Sequence, residues 1–416
     1  MTRSTTALVA AGAVAGLGAC GGAGDAWQGS VTDSAGVQIV SNTGDGVWGP
    51  DEAWTVETDL VIGTAEGEPE YQFGQIAGID VGSDGRVYVI DQQASEVRVY
   101  SPDGEFVAVM GRAGAGPGEL SQNAGPLFVG PGDTVQVPDI AQQRVTRYTA
   151  AGEPAGSYAL PLAEGIPVRW MEANDQDLVM QAMIMQLPNQ PQVEPRNLIL
   201  RRGPSGEVED TLLEMPIGKT VDFAGDQPSI TMFESEPVWT VGPEGRLYTG
   251  INSEYSINVH SPEGELVRII RKPGERRPIS DSDEAEFRRI VEKLWADRGM
   301  PPQAMEMMSQ ALSFAEFYPA YANMLGGPEG SLWVQGVQTP DELAGQGQAF
   351  DMQDLGSARW EVFDDRGRLL GTVRMPPRFT PLMFRGDAVY GVLRDDLDVQ
   401  YAARVTVDRG AGTLGE

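Results

Sequence analysis

Residues 83–107 read SDGRVYVIDQQASEVRVYSPDGEFV, and residues 243–267 read PEGRLYTGINSEYSINVHSPEGELV, 160 positions later with no gap. Each copy opens on a turn (Ser83-Asp84-Gly85 in the first) and runs into alternating apolar residues, Val87 to Ile90. A polar loop, a second run (Val97 to Tyr100), the turn Ser101-Pro102-Asp103-Gly104 and a third run (Phe106 to Met110) follow. Period-two alternation between Asp-Gly turns predicts consecutive antiparallel strands. A third copy lies 48 residues after the first: Asp91, Val97, Tyr100 and Gly104 fall on Asp139, Val145, Tyr148 and Gly152. Repeats of roughly 40–50 residues with three or four short strands each are the mark of propeller blades, because one small sheet cannot bury its own faces.

Taken in order, the chain predicts six such sheets, each with strands A to D from the inside out. The blades span about 76–111, 124–160, 166–215, 237–271, 320–375 and 379–408. The sixth supplies only strands A to C. The strand-like run Trp54 to Ile62 precedes the first blade and matches the end of a D strand, since Ile62-Gly63 falls on Met110-Gly111 at the same shift of 48. We therefore expect this N-terminal strand to complete the last blade, which removes the ring's open edges.

The repeats are interrupted. Blade 3 gains residues around Gln186 to Pro195 and blade 5 around Thr339 to Ser357, both between strands B and C. The largest insertion, about 274–318, follows strand D of blade 4. B–C loops and D–A connections emerge on the same side of an antiparallel blade, so all three should crowd one face, the expected binding face. The long insertion predicts a helical hairpin. Ser280 or Ser282 can cap it, and Phe287, Ile290, Val291 and Leu294 form one apolar stripe. Gly299 ends that helix, Pro301-Pro302 can start the next, and Met305 and Met308 continue a second stripe. Such stripes serve as core or, if the hairpin covers the channel, as a lid over a ligand.

The N-terminus has its own logic. Arg3, the apolar run Ala7 to Ala15 and Leu17-Gly18-Ala19-Cys20 resemble the leader and lipobox of bacterial lipoproteins. The run is too short to span a bilayer. Cys20 is the only cysteine, so it is the expected lipidation site and no internal disulfide can form. The expected layout is a signal peptide at 1–20, a flexible tether at 21–35, the propeller at 36–408 and a tail at 409–416. It places the protein in a bacterial envelope, outside the cytoplasm and held to a membrane by lipid. The formal charge of −30 and the presence of only three lysines exclude a phosphate backbone as partner.

With the repeats in view, the chain resembles the six-bladed β-propellers related to NHL repeats, common among bacterial lipoproteins. The likeness is carried by Asp84-Gly85 through Asp91 and by the Gly-rich loop from Gly111 to Leu120. A degenerate copy of that loop holds Gly63, Gly67, Pro69 and Phe73. The loop lies between strands and opens no helix, which rules out a phosphate cradle. The resemblance implies an all-β fold that serves many members as a binding scaffold. In some relatives it carries an enzyme: a lactonase, a streptogramin lyase or an amidating lyase. Such lyases rely on histidines, and here His260 stands alone, on the repeat position of Tyr100 and Tyr148.

Two functional readings remain. The first is a monomeric, non-enzymatic propeller binding a small ligand, peptide or envelope protein on the inserted face. Gln92, Asn252, Phe287, Leu294, Met305 and Met308 are its candidate contacts. The second is a Ca²⁺-dependent lactonase or hydrolase, with Asp91 and Asp139 supplying carboxylate ligands at the channel mouth. Asp at a strand end also caps turns, and that competes with the metal reading.

Overall fold

The computed structural model describes residues 27–49, 52–173, 177–185, 193–218, 230–344 and 354–410. Cys20, the expected signal peptide at 1–20, most of the blade 3 insertion and residues 411–416 lie outside them. The described residues form six four-stranded antiparallel arrays around an axis, one of them widened to six strands. Blade 1 is Ile76–Val81, Val87–Asp91, Glu96–Tyr100 and Phe106–Met110, each strand paired with the next. Blades 2 to 5 repeat this order over Phe128–Ala159, Ile166–Met215, Pro237–Arg271 and Asn323–Arg374.

The ring closes as its sequence implies. Strand β3 (Thr55–Ile62) pairs antiparallel with Gln400–Asp408, from Asp408↔Thr55 to Ala402↔Ile62. It thereby becomes strand D of the blade built by Phe379–Arg385, Ala388–Arg394 and Gln400–Asp408. Ile62 is 2% exposed and packs among Val392 and Ala402 of blade 6 and Tyr100 of blade 1. Around the axis the first strands of blades 1 and 2, 3 and 4, 4 and 5, 5 and 6, and 6 and 1 touch. At Gly326 a Cβ would stand 2.4 Å from the Gly242 Cα, so this approach of blades 4 and 5 needs glycine.

Repeat positions keep their roles at the level of single bonds. Tyr100 donates its hydroxyl to the Glu70 carbonyl (2.5 Å), and Tyr148 donates to the Gly118 carbonyl (3.1 Å). Each phenol ties strand C to the loop that enters its own blade. The Gly-rich loop therefore serves as the crossing between blades: Arg144 also donates to the Gly116 and Glu119 carbonyls (2.7 and 2.9 Å).

The N-terminal segment departs from expectation. Residues 29–34, expected within a flexible tether, form β1 (Gly29–Ser34), antiparallel to β2 (Val37–Asn42). β2 then pairs parallel with the outer strand of blade 4, Gln38↔Arg268 to Ser41↔Arg271. Backbone pairing fixes β1; all six of its residues are exposed, so no apolar alternation announces it. Beyond β2, buried Asn42 donates to the Arg271 and Gly367 carbonyls and accepts from Leu369 N and Trp27 Nε1. The backbone N–H groups of Val47 and Trp48 both meet the Leu370 carbonyl, and Trp54 packs on Trp333. Residues 27–49 thus run along the outside of blades 4 and 5, and β3 completes blade 6.

Candidate functional site

The long insertion folds as the helical hairpin its periodicity implies. Ser280 and Asp283 form a reciprocal capping box at the start of α1 (Asp281–Asp297). Gly299, at φ +74°, turns the chain out of the helix, and α2 (Pro302–Ala311) follows. Arg288 locks the two helices, donating to the Ser309 and Leu312 carbonyls at 2.8 and 2.6 Å.

The stripe Phe287, Ile290, Val291, Leu294 is buried, together with Trp295. It packs on Met232 and Phe233 from the connection between blades 3 and 4, and on Leu343 of α3 (Pro340–Ala344) in the blade 5 B–C loop. Phe233 stacks edge-on against Phe287 (5.3 Å) and Tyr318 (4.7 Å). A short parallel pair, Ile230–Met232 with Leu312–Phe314, joins the blade 3–4 connection to the hairpin. Insertions from different blades therefore converge on one face and share one core. Burying Phe287 and Leu294 there contributes roughly 1.5–3 kcal/mol each. That role corrects their place on the candidate binding face: at 1% and 5% exposed, neither can meet a ligand. Met305 and Met308 are half-buried at the edge of the same cluster. No residue of 274–318 lines the central channel, so the hairpin is a cap set to one side of the axis.

At the root of the cap, between blades 4 and 5, lies a groove of about 1090 Å³. Its floor carries Tyr255, whose hydroxyl donates to Glu361 (2.7 Å), and Lys272, which pairs with the same carboxylate (2.6 Å). Burial, and then Glu361, push the Tyr255 hydroxyl well above its ordinary range, so it stays a donor. Arg271, Arg276 and Arg277 line the groove and are exposed. Arg276 lies over the Phe317 ring (4.1 Å) and Arg277 over the Tyr318 ring (3.7 Å). None of these three arginines has a carboxylate partner among the described residues.

The proposed calcium carboxylates do different work. Asp91 accepts from the backbone N–H groups of Gly74, Gln75, Gln93 and Ala94 (3.0–3.2 Å) and faces Arg98 at 3.4 Å. Asp139 accepts from Ser121 N, Ser121 Oγ and Gln142 N (2.8, 2.7 and 3.1 Å). Donors already meet the oxygens of both carboxylates, and this favours the turn-capping reading of Asp91 and Asp139 over the calcium reading. Each carboxylate pins the loop entering its blade to its own B–C turn. Among the described residues no cluster of three metal-ligating side chains occurs. Gln92 and Asn252 are latches between blades. Gln92 reaches the Ala124 carbonyl of blade 2 (3.3 Å), and Asn252 the Tyr321 carbonyl entering blade 5 (2.9 Å). His260 is 7% exposed. A carbonyl can only accept, so its Nδ1 donates to Gly264 (3.2 Å) and its Nε2 accepts from Thr249 Oγ1 (3.0 Å).

The axis itself holds a cavity of about 930 Å³ that the sequence did not single out. Its walls are the first strands of the blades. Near their ends Arg385 of blade 6 bonds Asp80 of blade 1 (2.8 Å) and Glu172 of blade 3. Burial pushes the Asp80 carboxyl up, and Arg385 opposes the shift.

Residues 66–183 match a protein family described as 6-bladed beta-propeller. The chain is a six-bladed β-propeller. Several solved structures resemble this propeller. A Bacteroides fragilis protein described as exported superposes with a TM-score of 0.49 at 14% identity, over 89% of this chain and 99% of its own. A structural-genomics protein from Bacteroides thetaiotaomicron gives 0.45 at 11%, over 86% and 76%. Virginiamycin B lyase from Staphylococcus aureus gives 0.43 at 13%, over 85% and 99%. At such distances none of them transfers an activity to this propeller. No curated protein matches it.

Proposed function

We propose that this propeller is an exported, lipid-anchored binding module that holds an acidic peptide segment of a partner in the groove at the root of its cap. The anchor rests on the lipobox ending at Cys20. The carrying observation is the groove's rim: Arg271, Arg276 and Arg277 are exposed and make no ion pair among the described residues, and with Lys272 and Arg359 they outnumber the groove's Glu254, Glu275, Glu342 and Glu361 on a chain of net charge −30. Elsewhere so acidic a surface repels an acidic ligand, and here it is locally reversed. The aromatic walls supply rigid contact area, and arginine forks suit carboxylates. The cap creates this site because its first residues, 274–277, form one wall.

The test uses mature chain carrying Cys20→Ser and fluorescence polarisation with a labelled Asp/Glu-rich peptide. Binding should weaken as salt rises and fall at least tenfold in an Arg271→Gln/Arg276→Gln/Arg277→Gln variant. Equal binding of a Lys-rich peptide, or no loss in the variant, overturns the proposal.

A further inference from the structure

Arg169 lies in Ile166–Glu172, the first strand of blade 3, and lines the central cavity. Its Nη1 donates to the Trp239 carbonyl of blade 4 (3.0 Å), and its guanidinium lies 5.6 Å from the Trp239 ring centre. Among the described residues it has no carboxylate partner. The other arginines on the cavity wall are paired: Arg385 with Asp80 and Glu172, and Arg409 with Glu329 and Asp387. Burial alone pulls the Arg169 guanidinium down to about 10, with no anion offsetting it, yet it stays charged at neutral pH. Its side chain is half-buried on the cavity wall, and a partly desolvated cation there without a counter-charge favours an anionic ligand.

Apart from Asn323, Thr380 and the two ion-paired groups, Arg385 with Asp80 and Glu172 and Arg409 with Glu329 and Asp387, the wall is largely apolar. Val168 is 54% exposed, and Leu127, Phe128, Leu325, Leu382 and Met383 also line the cavity. Glu172 stands three residues further along the same strand, about 10 Å at strand rise. An acidic ion-paired group thus marks one end of the channel and an uncompensated cation its middle. Apolar walls with few convergent polar groups are the make-up of a small-molecule site.

We propose that the central channel binds a small amphiphilic anion, its carboxylate on Arg169 and its apolar body along Val168, Leu382 and Met383. Arg169 has donors to spare for a carboxylate after its single bond to Trp239. The Asp80–Arg385–Glu172 group carries net negative charge and turns the anionic head away from that end. This site is separate from the groove under the cap and does not depend on it.

The experiment is calorimetric titration of the mature Cys20→Ser chain with dodecanoate, dodecanol and dodecylammonium below their micelle concentrations. Trp170, on the channel wall, provides a parallel fluorescence signal. Dodecanoate should bind one to one and at least tenfold tighter than dodecylammonium. Arg169→Met should cost at least tenfold for dodecanoate and leave dodecanol unchanged. Val168→Trp should fill the channel and weaken both, at an exposed position where the fold tolerates bulk. The groove variant Arg271→Gln/Arg276→Gln/Arg277→Gln should bind dodecanoate as the parent does. The head-group comparison needs no variant, so an unstable Arg169→Met leaves the test intact. No dodecanoate binding, equal binding of the ammonium, or full binding by a folded Arg169→Met overturns the assignment.

Discussion

Arg385 donates to Asp80 at 2.8 Å, so the first strand of the last blade is ion-paired to the first strand of the first. Asp80 also accepts from Val81 N and Val129 N, both at 2.7 Å, and one carboxylate therefore serves blades 6, 1 and 2. Replacing Arg385 with Met strands this buried charge. The loss should be about 2–3 kcal/mol, under the ~3–5 of a fully buried pair, because solvent still reaches Arg385. The Asp80→Asn/Arg385→Met double variant should recover part of it. Urea unfolding of the parent, Asp80→Asn, Arg385→Met and the double variant measures the coupling, and strict additivity would refute it.

Strand β3 is the other half of the closure. A chain starting at residue 63 leaves Gln400–Asp408 as an open edge and removes Ile62 from its cluster. Its thermal unfolding should broaden and its light scattering rise. Ile62→Ala in the full chain should cost about 2–4 kcal/mol while keeping a single transition.

Asp139 is 0% exposed and holds three donors. Asp139→Ala should lower stability by about 1–3 kcal/mol, the usual cost of leaving buried donors unpaired. Calcium in excess and chelator should give the parent the same melting temperature. A calcium-dependent rise abolished by Asp139→Ala would restore the metal reading.

His260 makes a pH-dependent contribution whose direction follows from its burial. Burial lowers its pKa below the ordinary 6.5, and the Gly264 carbonyl only partly opposes this. The unfolded chain then takes up the proton first as pH falls. Its contribution to stability is present above pH 6.5 and is lost as pH falls through the depressed folded value. Between pH 7 and pH 5 the parent should lose more stability than His260→Gln, as read from urea midpoints. Parallel curves would show that the ring is not held neutral.

The ring was legible because its inner strands alternate and its turns repeat. Val87 to Ile90 and Leu247 to Gly250 need only their own neighbours to declare a strand. The helical stripe from Phe287 to Leu294 was legible for the same local reason. What it meets, Met232 and Phe233, was not, since nothing in a period tells which distant segment covers it. Asp91 shows the limit most clearly. Its spacing suits a metal ligand or a cap equally well, and the choice is made by N–H donors of Gly74 and Gln75, which the fold brings in. Arg169 carried no signal: its lack of a partner exists only once six strands surround it.

The parallel pairing of β2 with the rim of blade 4 has a mechanical meaning. With the proposed anchor at Cys20, a pull from that side would meet the β1–β2 hairpin first and then the bonds of β2 to residues 268–271. Asn42, bonded to both blades 4 and 5, acts as a second stop before the force reaches β3. A ring hung from its N-terminus would carry its weight on the rim and keep the closing seam slack.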